Sequence, residues 1–411
     1  MSKKMKADRI KQTLDGIEYE LTRNGPPDGF PSLPPIPAKR YTDEAFFELE
    51  MEHLWKKSWV FAGHTDELPE PGSYLLWQQL KSPILIIRGK DDKIRAFYNT
   101  CRHRGAPIVK DEKGRKNLFV CAYHGWSYDD KGELIAMRDP RDFVDFDKSC
   151  HGLIEVRCEL FGKFIYVNFD KNAEPLDEFL HTVKHDIAMF QTENMDLIRK
   201  DEFIVDCNVK VLLDAFQETY HLKSIHQKTV DRFLDHLGTY IELWPKGHSR
   251  MVTPHRDAEW EDPGVQGLPE IEEIGEVGRI NNFSYNIFPN IVCPPYPSGN
   301  SLIIFWPISI NQMKIEVVWV APGHITEETQ EIWDMRVANF EKILEEDTQF
   351  ATEIQRSVES DGFKGIPLSY QERRIYHWHE QLDKLIGPEN LPEGTAVKPL
   401  LGDYVMAPYA E

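Results

Sequence analysis

The chain has 411 residues, with 48 Lys and Arg against 68 Asp and Glu, so its formal net charge is −20 at pH 7. This length exceeds the roughly 100–200 residues of one typical domain and predicts two domains. A hydrophobic share of 41% supplies sizeable cores and excludes a wholly disordered chain. The acidic balance disfavours nucleic acid and anionic membranes as partners, because both repel negative charge.

The sequence has no run of about 20 apolar residues, and its first residues (MSKKMKADRIKQ) lack the apolar stretch of a secretion signal. We therefore expect a soluble, cytoplasmic protein that does not bind a membrane. Its 6 cysteines are too sparse for a disulfide scaffold. Each thiol is accordingly expected to be a core residue or a metal ligand.

The chain begins with an expected N-terminal arm over residues 1–40, in which residues 24–38 are dense in Pro and Gly. A helix is predicted over 42–56. Short β-type runs separated by Gly, Asp and Lys turns follow from Trp59 to Phe169. Residues 41–170 are therefore predicted to form a small all-β domain with a leading helix.

Residues 171–411 show longer segments of mixed type and predict an α+β domain. Its helices are expected at 177–192, 208–223, 326–358 and 369–386, and its strands at 202–207, 279–287, 301–307 and 313–320. The stretch 255–275 has neither hydrophobic period nor apolar density. It is expected to be a surface excursion or a flap.

Two pairs of metal-ligating residues lie in the all-β domain. Cys101 and His103 form C-x-H, and Cys121 and His124 form C-x-x-H, with 17 residues between the pairs. Two Cys and two His also suit a structural zinc site, and single Cys and His residues are often plain core groups. Residue types alone leave these alternatives open. The remaining cysteines lack paired spacing and are expected to be ordinary thiols: Cys150, Cys158, Cys207 and Cys293.

The spacing of these pairs, with Gly105 and Gly125 after the histidines, resembles the Rieske family. The resemblance implies that Cys101 and Cys121 hold one iron of a Rieske 2Fe-2S cluster and that His103 and His124 hold the other. Neutral imidazole in place of thiolate raises the reduction potential of such a cluster.

A second candidate centre lies in the segment 207–226, which carries His221 and His226. On an unbroken α-helix the two side chains would point roughly 140° apart. A π-type bulge, or a helix that ends between them, is needed to aim both at one metal. Otherwise one histidine belongs to the core and the other to the surface.

This segment resembles the catalytic segment of the alpha subunits of Rieske non-haem iron oxygenases, on the residues Asn208, Lys210, Glu218, Tyr220, His221 and His226. The resemblance implies an α+β catalytic domain in which an antiparallel sheet is flanked by helices, of the SRPBCC or helix-grip type. It also implies that His221 and His226 are two facial ligands of a mononuclear Fe(II), with a carboxylate as the third and open positions for O₂.

The segment 341–356 resembles the family's carboxylate helix and places the third ligand at Asp347, with Glu346 as the fallback. Without that resemblance, the acidic run would be a solvated helix face. His377 and His379 lie on the following helix and are expected to be structural.

The family resemblance also implies a head-to-tail homotrimer, in which the cluster of one subunit lies close to the iron of its neighbour. An acidic residue bridges the interface, and here Glu218 occupies its position, with His124 as the partner. This chain has Glu where most family members have Asp, so the length of the bridge differs. A beta subunit is possible but not required by the sequence.

The implied function is that of a terminal oxygenase that hydroxylates an organic substrate, expected to be aromatic, with O₂, as in the catabolism of aromatic compounds. Its electrons would come from NAD(P)H through a separate reductase, with or without a ferredoxin, because the chain has no GxGxxG nucleotide motif. Candidate pocket residues are Phe216, Phe283, Ile303 and Phe305, and candidate carboxylate clamps are Arg250 and Arg279.

Three alternatives are kept. The first is a Rieske monooxygenase or demethylase acting on a quaternary ammonium or other non-aromatic substrate. The second is an electron-transfer protein whose catalytic domain has degenerated. The third is a zinc-stapled binding module.

Overall fold

The computed structural model describes residues 4–260, 262 and 264–407. The chain divides into two compact units, a larger one formed by Met1–Leu54 with Leu180–Glu411 and a smaller one formed by Trp55–Phe179. Among the described residues, no helix combines the length and the apolar character that a bilayer crossing requires.

The strands that the structure describes are, in chain order, β1 (Ile36–Pro37), β2 (Val60–His64), β3 (Ser73–Trp77), β4 (Ile84–Arg88), β5 (Ile94–Tyr98), β6 (Lys113–Arg115), β7 (Phe119–Val120), β8 (Ser127–Tyr128), β9 (Leu134–Ala136), β10 (Glu155–Phe161), β11 (Phe164–Asn168), β12 (Asp196–Val205), β13 (Tyr240–Leu243), β14 (Ser249–Pro254), β15 (Asn281–Ile287), β16 (Ile291–Cys293), β17 (Pro295–Tyr296), β18 (Gly299–Ser309), β19 (Gln312–Ala321) and β20 (Gly365–Ile366).

The described α-helices are α1 (Ala7–Thr22), α2 (Lys39–Thr42), α3 (Glu44–Leu49), α4 (Leu176–Phe179), α5 (His181–Ile187), α6 (Val209–Ala215), α7 (Leu222–Ile225), α8 (Gly275–Arg279), α9 (Glu327–Thr348), α10 (Ala351–Val358) and α11 (Arg373–Ile386). A π-helical turn, Glu50–Trp55, continues α3.

The smaller unit is built on two antiparallel sheets. The first has the strand order β2-β11-β10-β5-β4-β3-β6, and the second has the order β7-β8-β9. The sequence of β4, ILIIR, is rich in the β-branched residues that favour strands, and its first four residues are buried. One hydrophobic cluster of this unit includes Cys101 and Cys121 together with Trp126 and Tyr128. The all-β character expected for this region agrees with the structure.

The larger unit is built on one antiparallel sheet with the order β12-β19-β18-β16-β15-β14-β13, and β17 pairs with β18. The hairpin of β18 and β19 runs from Asn300 opposite Val320 to Ser309 opposite Gln312, and nearly all of its residues are buried. Helix α11 packs on this sheet, since Arg374 Nε donates to Ser249 Oγ of β14 at 2.9 Å. The predicted α+β class is therefore confirmed.

The two compact units divide the chain at positions different from the domain boundaries expected from the sequence. Residues 41–54 pack with the larger unit, because Tyr41 Oη donates to Asp214 Oδ2 at 2.5 Å and Lys210 Nζ donates to Glu50 Oε2 at 2.8 Å. Residues 171–179 belong to the smaller unit, where α4 packs against β10. Hydrogen bonds between residues far apart in the sequence are not visible in its local pattern.

Several expected helices are shorter or divided in the structure. The helix expected over 208–223 ends at Ala215, and a separate single turn, α7, begins at Leu222. The helix expected over 326–358 consists of α9 and α10. The N-terminal arm contains α1, which the sequence analysis did not predict. Between β14 and Glu272 the described residues form no helix or extended strand, but Leu268 and Ile271 are buried, so the stretch is not wholly the surface excursion that was expected.

Candidate metal centres

Two similar loops carry the four candidate cluster residues of the smaller unit. In the first, Cys101 N donates to Ala106 O at 2.8 Å and Gly105 N donates to Cys101 O at 3.0 Å. In the second, Cys121 N donates to Trp126 O at 2.8 Å and Gly125 N donates to Cys121 O at 2.9 Å. Gly105 and Gly125 have φ angles of 75° and 74°, in the left-handed region that glycine adopts without strain. The sequence thus builds the same turn twice.

The two loops bring the candidate ligands together. The rings of His103 and His124 lie 4.6 Å apart between centroids. Cys101 and Cys121 are both buried. Tyr128 Oη accepts the N–H of Arg102 at 3.0 Å and lies 3.4 Å from Cys101 Sγ, so its own hydrogen is free to point at the sulfur.

One orphaned atom tests whether these residues fit a cluster. His103 Nδ1 is buried and has no hydrogen-bond partner. Such a nitrogen is costly to bury unless it binds something, and a ligand bond to iron would satisfy it. Burial, His103 and two arginines lower the pKa of His124, which favours the neutral imidazole that binds metal. The residues therefore fit a cluster held by two thiolates and two imidazoles.

In the larger unit, the candidate iron histidines flank the short helix α7, which is separate from α6. His221 has helical backbone angles and precedes α7, whereas His226 follows it with φ −100° and ψ 28°. Because the helix ends between them, their rings approach to 5.2 Å between centroids. Of the two geometries that the sequence allowed, a π-type bulge and a helix that ends between the histidines, the structure has the second.

Asp347, in the last turn of α9, meets both histidines. Its Oδ1 lies 2.9 Å from Nε2 of His226 and 3.6 Å from Nε2 of His221. The three potential ligand atoms lie within 4.8 Å of one another. Two imidazole nitrogens and one carboxylate form the donor set of a facial non-haem iron site, so the residues present fit a single iron.

The outward nitrogens of the two imidazoles also have partners. His221 Nδ1 lies 2.5 Å from Glu218 Oε1, and His226 Nδ1 lies 2.7 Å from Glu346 Oε2. A carboxylate only accepts, so each imidazole donates from Nδ1, and Nε2 is the nitrogen that would bind a metal in place of a proton. Burial acts to lower the pKa of His221, but Glu218 and Asp347 outweigh it and raise that pKa.

Glu346 and Asp347 lie at opposite edges of the His226 ring. Asp347, and not Glu346, is the carboxylate that lies close to both histidines. Thr229 Oγ1 donates to the same oxygen of Glu346 at 2.6 Å. Thr229 is not among the site residues predicted from the sequence. Its position three residues after His226 is a weak signal that many surface threonines share.

The remaining candidates are only partly brought together. Phe216 contacts Phe305 with ring centroids 5.2 Å apart, whereas Phe283 contacts Phe190. Arg250 is buried and pairs with Asp186 and Glu242, and Arg279 pairs with Glu270. Both arginines therefore have carboxylate partners within the protein.

His377 is buried, with Nε2 2.8 Å from Trp244 O, and His379 is buried beside Arg40 and Tyr41, consistent with structural roles.

Family models match both units. The model described as "Ring hydroxylating alpha subunit (catalytic domain)" matches residues 181–387, and the model described as "Rieske [2Fe-2S] domain" matches residues 58–147. The first match alone covers half of the chain, and the two matches include every candidate ligand named above.

Individual relatives agree with these models. The glycine betaine monooxygenase oxygenase subunit of Pseudomonas aeruginosa is 27% identical over 372 residues, which cover 81% of this chain and 84% of the relative. Toluate 1,2-dioxygenase subunit alpha of Pseudomonas putida is 26% identical over 385 residues, 84% of this chain and 82% of the relative.

A solved structure of a quaternary ammonium Rieske monooxygenase with L-carnitine has a TM-score of 0.71 and 22% identity, covering 88% of this chain and 99% of the other. At this identity the likeness shows the fold. The chain therefore belongs to the Rieske non-haem iron oxygenases as an alpha subunit, an oxidoreductase that carries a Rieske 2Fe-2S cluster and a mononuclear iron and uses O₂ as co-substrate.

Proposed function

We propose that His221, His226 and Asp347 hold the mononuclear iron of this terminal oxygenase, and that the two Cys-His pairs hold its cluster. The observation that carries the proposal is the approach of three ligand atoms to within 4.8 Å, although Asp347 lies more than a hundred residues after the two histidines. When bound, the iron supplies the place where O₂ is reduced, and the cluster supplies electrons singly.

Metal analysis tests this assignment. We expect about three Fe per chain, two in the cluster and one at the histidine pair, together with a Rieske-type electron paramagnetic resonance signal. Two Fe per chain would instead support the electron-transfer alternative. A colourless protein that contains zinc would support the binding module.

We infer that Glu218 links the two centres across a subunit interface. Its carboxylate holds His221 through one oxygen and accepts the backbone N–H of Tyr220, an exposed residue, through the other. In the proposed head-to-tail homotrimer, that carboxylate accepts a hydrogen bond from His124 of the partner subunit. The chain's size in solution tests the trimer, and a monomer with full activity would contradict it.

Family members receive electrons from a separate reductase. We propose that the electrons for this chain come from NAD(P)H through such a reductase, with or without a ferredoxin. A cytoplasmic location is part of the same proposal, because it supplies NAD(P)H. A surrogate reductase with NADH provides the assay.

For the substrate, we propose a small organic compound that carries a quaternary ammonium group. The charges around the iron site support this class, since Glu218, Glu346 and Asp347 surround the two histidines and both candidate arginine clamps are already paired. An excess of negative charge attracts the quaternary ammonium group. The relative that acts on glycine betaine supports the same class.

An aromatic acid remains the second candidate, because a toluate dioxygenase subunit is similar over 84% of the chain. A panel of glycine betaine, L-carnitine and toluate separates the two. Hydroxylation of a carbon bonded to the ammonium nitrogen uses one O₂, two electrons and two protons and releases water, after which the product divides into an aldehyde and a tertiary amine. Aldehyde formed from a quaternary ammonium compound supports the proposal, and a hydroxylated ring formed from toluate alone overturns it.

A further inference from the structure

The imidazole of His226 is held at both of its nitrogens by two consecutive residues of α9. Asp347 Oδ1 lies 2.9 Å from Nε2, and Glu346 Oε2 lies 2.7 Å from Nδ1. Neighbouring residues on a helix project about 100° apart, which lets the two carboxylates reach opposite edges of one ring. Glu346 and Asp347 thus contact one imidazole from both sides and do not form a solvated helix face.

Glu346 is itself held in place. Thr229 Oγ1 donates to Glu346 Oε2 at 2.6 Å, and Thr229 follows His226 by three residues. The hydroxyl therefore ties the glutamate to the same chain segment that carries the histidine. The side chain of Glu346 is 27% exposed and that of His226 only 2% exposed, so the hydrogen bond between them is largely shielded from water on the histidine side.

We propose that Glu346 is a positioning residue that fixes His226 with Nε2 toward the iron and increases the electron donation of that imidazole. This inference rests on the proposed function, because it needs an iron at His221, His226 and Asp347. A carboxylate on the outer nitrogen selects the tautomer whose Nε2 is free to bind metal, and it makes the ring a stronger donor. It also places a negative charge close to the metal, which favours the more positive oxidation state.

The geometry separates this role from that of a ligand. Glu346 Oε2 lies at Nδ1, on the edge of the ring opposite to the Nε2 that faces Asp347. To bind the same iron, Glu346 would have to abandon both His226 and Thr229. The role also differs from that of Glu218, which contacts the other histidine.

The test compares Glu346→Ala with Glu345→Ala, which removes a carboxylate from the same turn at an exposed position. After the mononuclear iron is removed, Fe(II) affinity is measured by chelator competition, and the iron–nitric oxide complex is examined by electron paramagnetic resonance. We expect Glu346→Ala to weaken Fe(II) binding by about 10–100-fold and to change the resonance signal. Glu345→Ala should leave both unchanged, and the Rieske signal of every variant serves as the folding control.

Two further variants resolve the contributions. Glu346→Gln keeps a hydrogen-bond acceptor without the charge and should fall between the parent and Glu346→Ala. Thr229→Val should weaken Fe(II) binding in the same direction and by less, and it stands in for Glu346→Ala if that variant does not fold. Unchanged Fe(II) affinity and an unchanged signal in the Glu346 variants would overturn the proposal.

Complete loss of Fe(II) binding, equal to that of Asp347→Ala, would also overturn it, because Glu346 would then be a ligand. Failure of the parent protein itself to bind a third iron is a different result. That result would contradict the proposed function, and the inference about Glu346 would fall with it.

Discussion

The carboxylate of Glu218 is fastened to His221 by side chain and backbone together. Its Oε1 lies 2.5 Å from His221 Nδ1, and its Oε2 accepts the backbone N–H of His221 at 3.2 Å and that of Tyr220. Three donors from one turn of chain therefore hold one carboxylate in a single orientation. This arrangement holds the buried carboxylate of Glu218 next to Tyr220, which is exposed.

Glu218→Gln should keep both metal centres and lose most turnover. The amide oxygen still accepts from His221, but the negative charge that joins the two centres is gone. Iron content and the single-turnover rate of electron transfer from the cluster to the iron are the measurements, with Glu345→Gln as the control. A parental single-turnover rate would contradict the bridging role.

His221→Ala should empty the mononuclear site and preserve the Rieske spectrum. Removing one of three ligands leaves too few donors to retain a ferrous ion, whereas the cluster residues lie in the other unit. Iron analysis should fall by about one Fe per chain relative to the parent. His324→Ala, at a side chain 80% exposed, should retain all of its iron. Parental iron content in His221→Ala would show that the ligand assignment is wrong.

Cys101→Ser should abolish the cluster and its visible absorption, since the proposed site loses one of its two thiolate ligands. Cys207→Ser provides a matched control, because Cys207 is also buried but lies outside the two loops. Burial and the nearby Asp206 raise the pKa of Cys207 to about 12, so this thiol is chemically inert. The absorption and electron paramagnetic resonance spectra of the two variants show whether each retains the cluster. Loss of the cluster in both variants would mean that the effect is general destabilisation.

Asp214 should make the stability of the larger unit depend on pH. Burial raises the pKa of Asp214 to about 7, although Tyr41, Lys210 and Arg40 act to lower it. Between about pH 4 and pH 7 the folded state keeps the proton that the unfolded state releases, so the free energy of unfolding falls as pH rises. Below about pH 4 the ionisation of Asp214 does not reduce the free energy of unfolding, and above about pH 7 the reduction is complete.

Asp214→Asn removes that ionisation while keeping an oxygen for the hydroxyl of Tyr41. The variant should therefore gain stability relative to the parent as pH rises from 4 to 8, by an amount on the order of 4 kcal/mol. Urea unfolding of both proteins at several pH values gives the difference. A difference that does not change with pH would contradict the raised pKa.

Much of the candidate machinery could be named from the sequence because it is local. Each Cys-His pair belongs to one short loop, and the glycine that turns the loop follows within two residues of the histidine. The strand and helix classes of both units also follow from hydrophobic period and β-branched content. For the histidine pair, spacing showed only that the helix must be interrupted if both side chains bind one metal, and the structure has that interruption between α6 and α7.

Only the tertiary structure decided which acidic residue faces which nitrogen of His226, because α9 lies more than a hundred residues downstream and its rotation depends on packing. The same holds for residues 41–54, which join the larger unit through Tyr41 and Glu50. It also holds for Arg250, whose guanidinium is paired with Asp186 across the core. A local pattern specifies the conformation of a segment, whereas the partner of a buried charge is specified by the whole fold, since burial is tolerated only where an opposite charge or a hydrogen bond meets it.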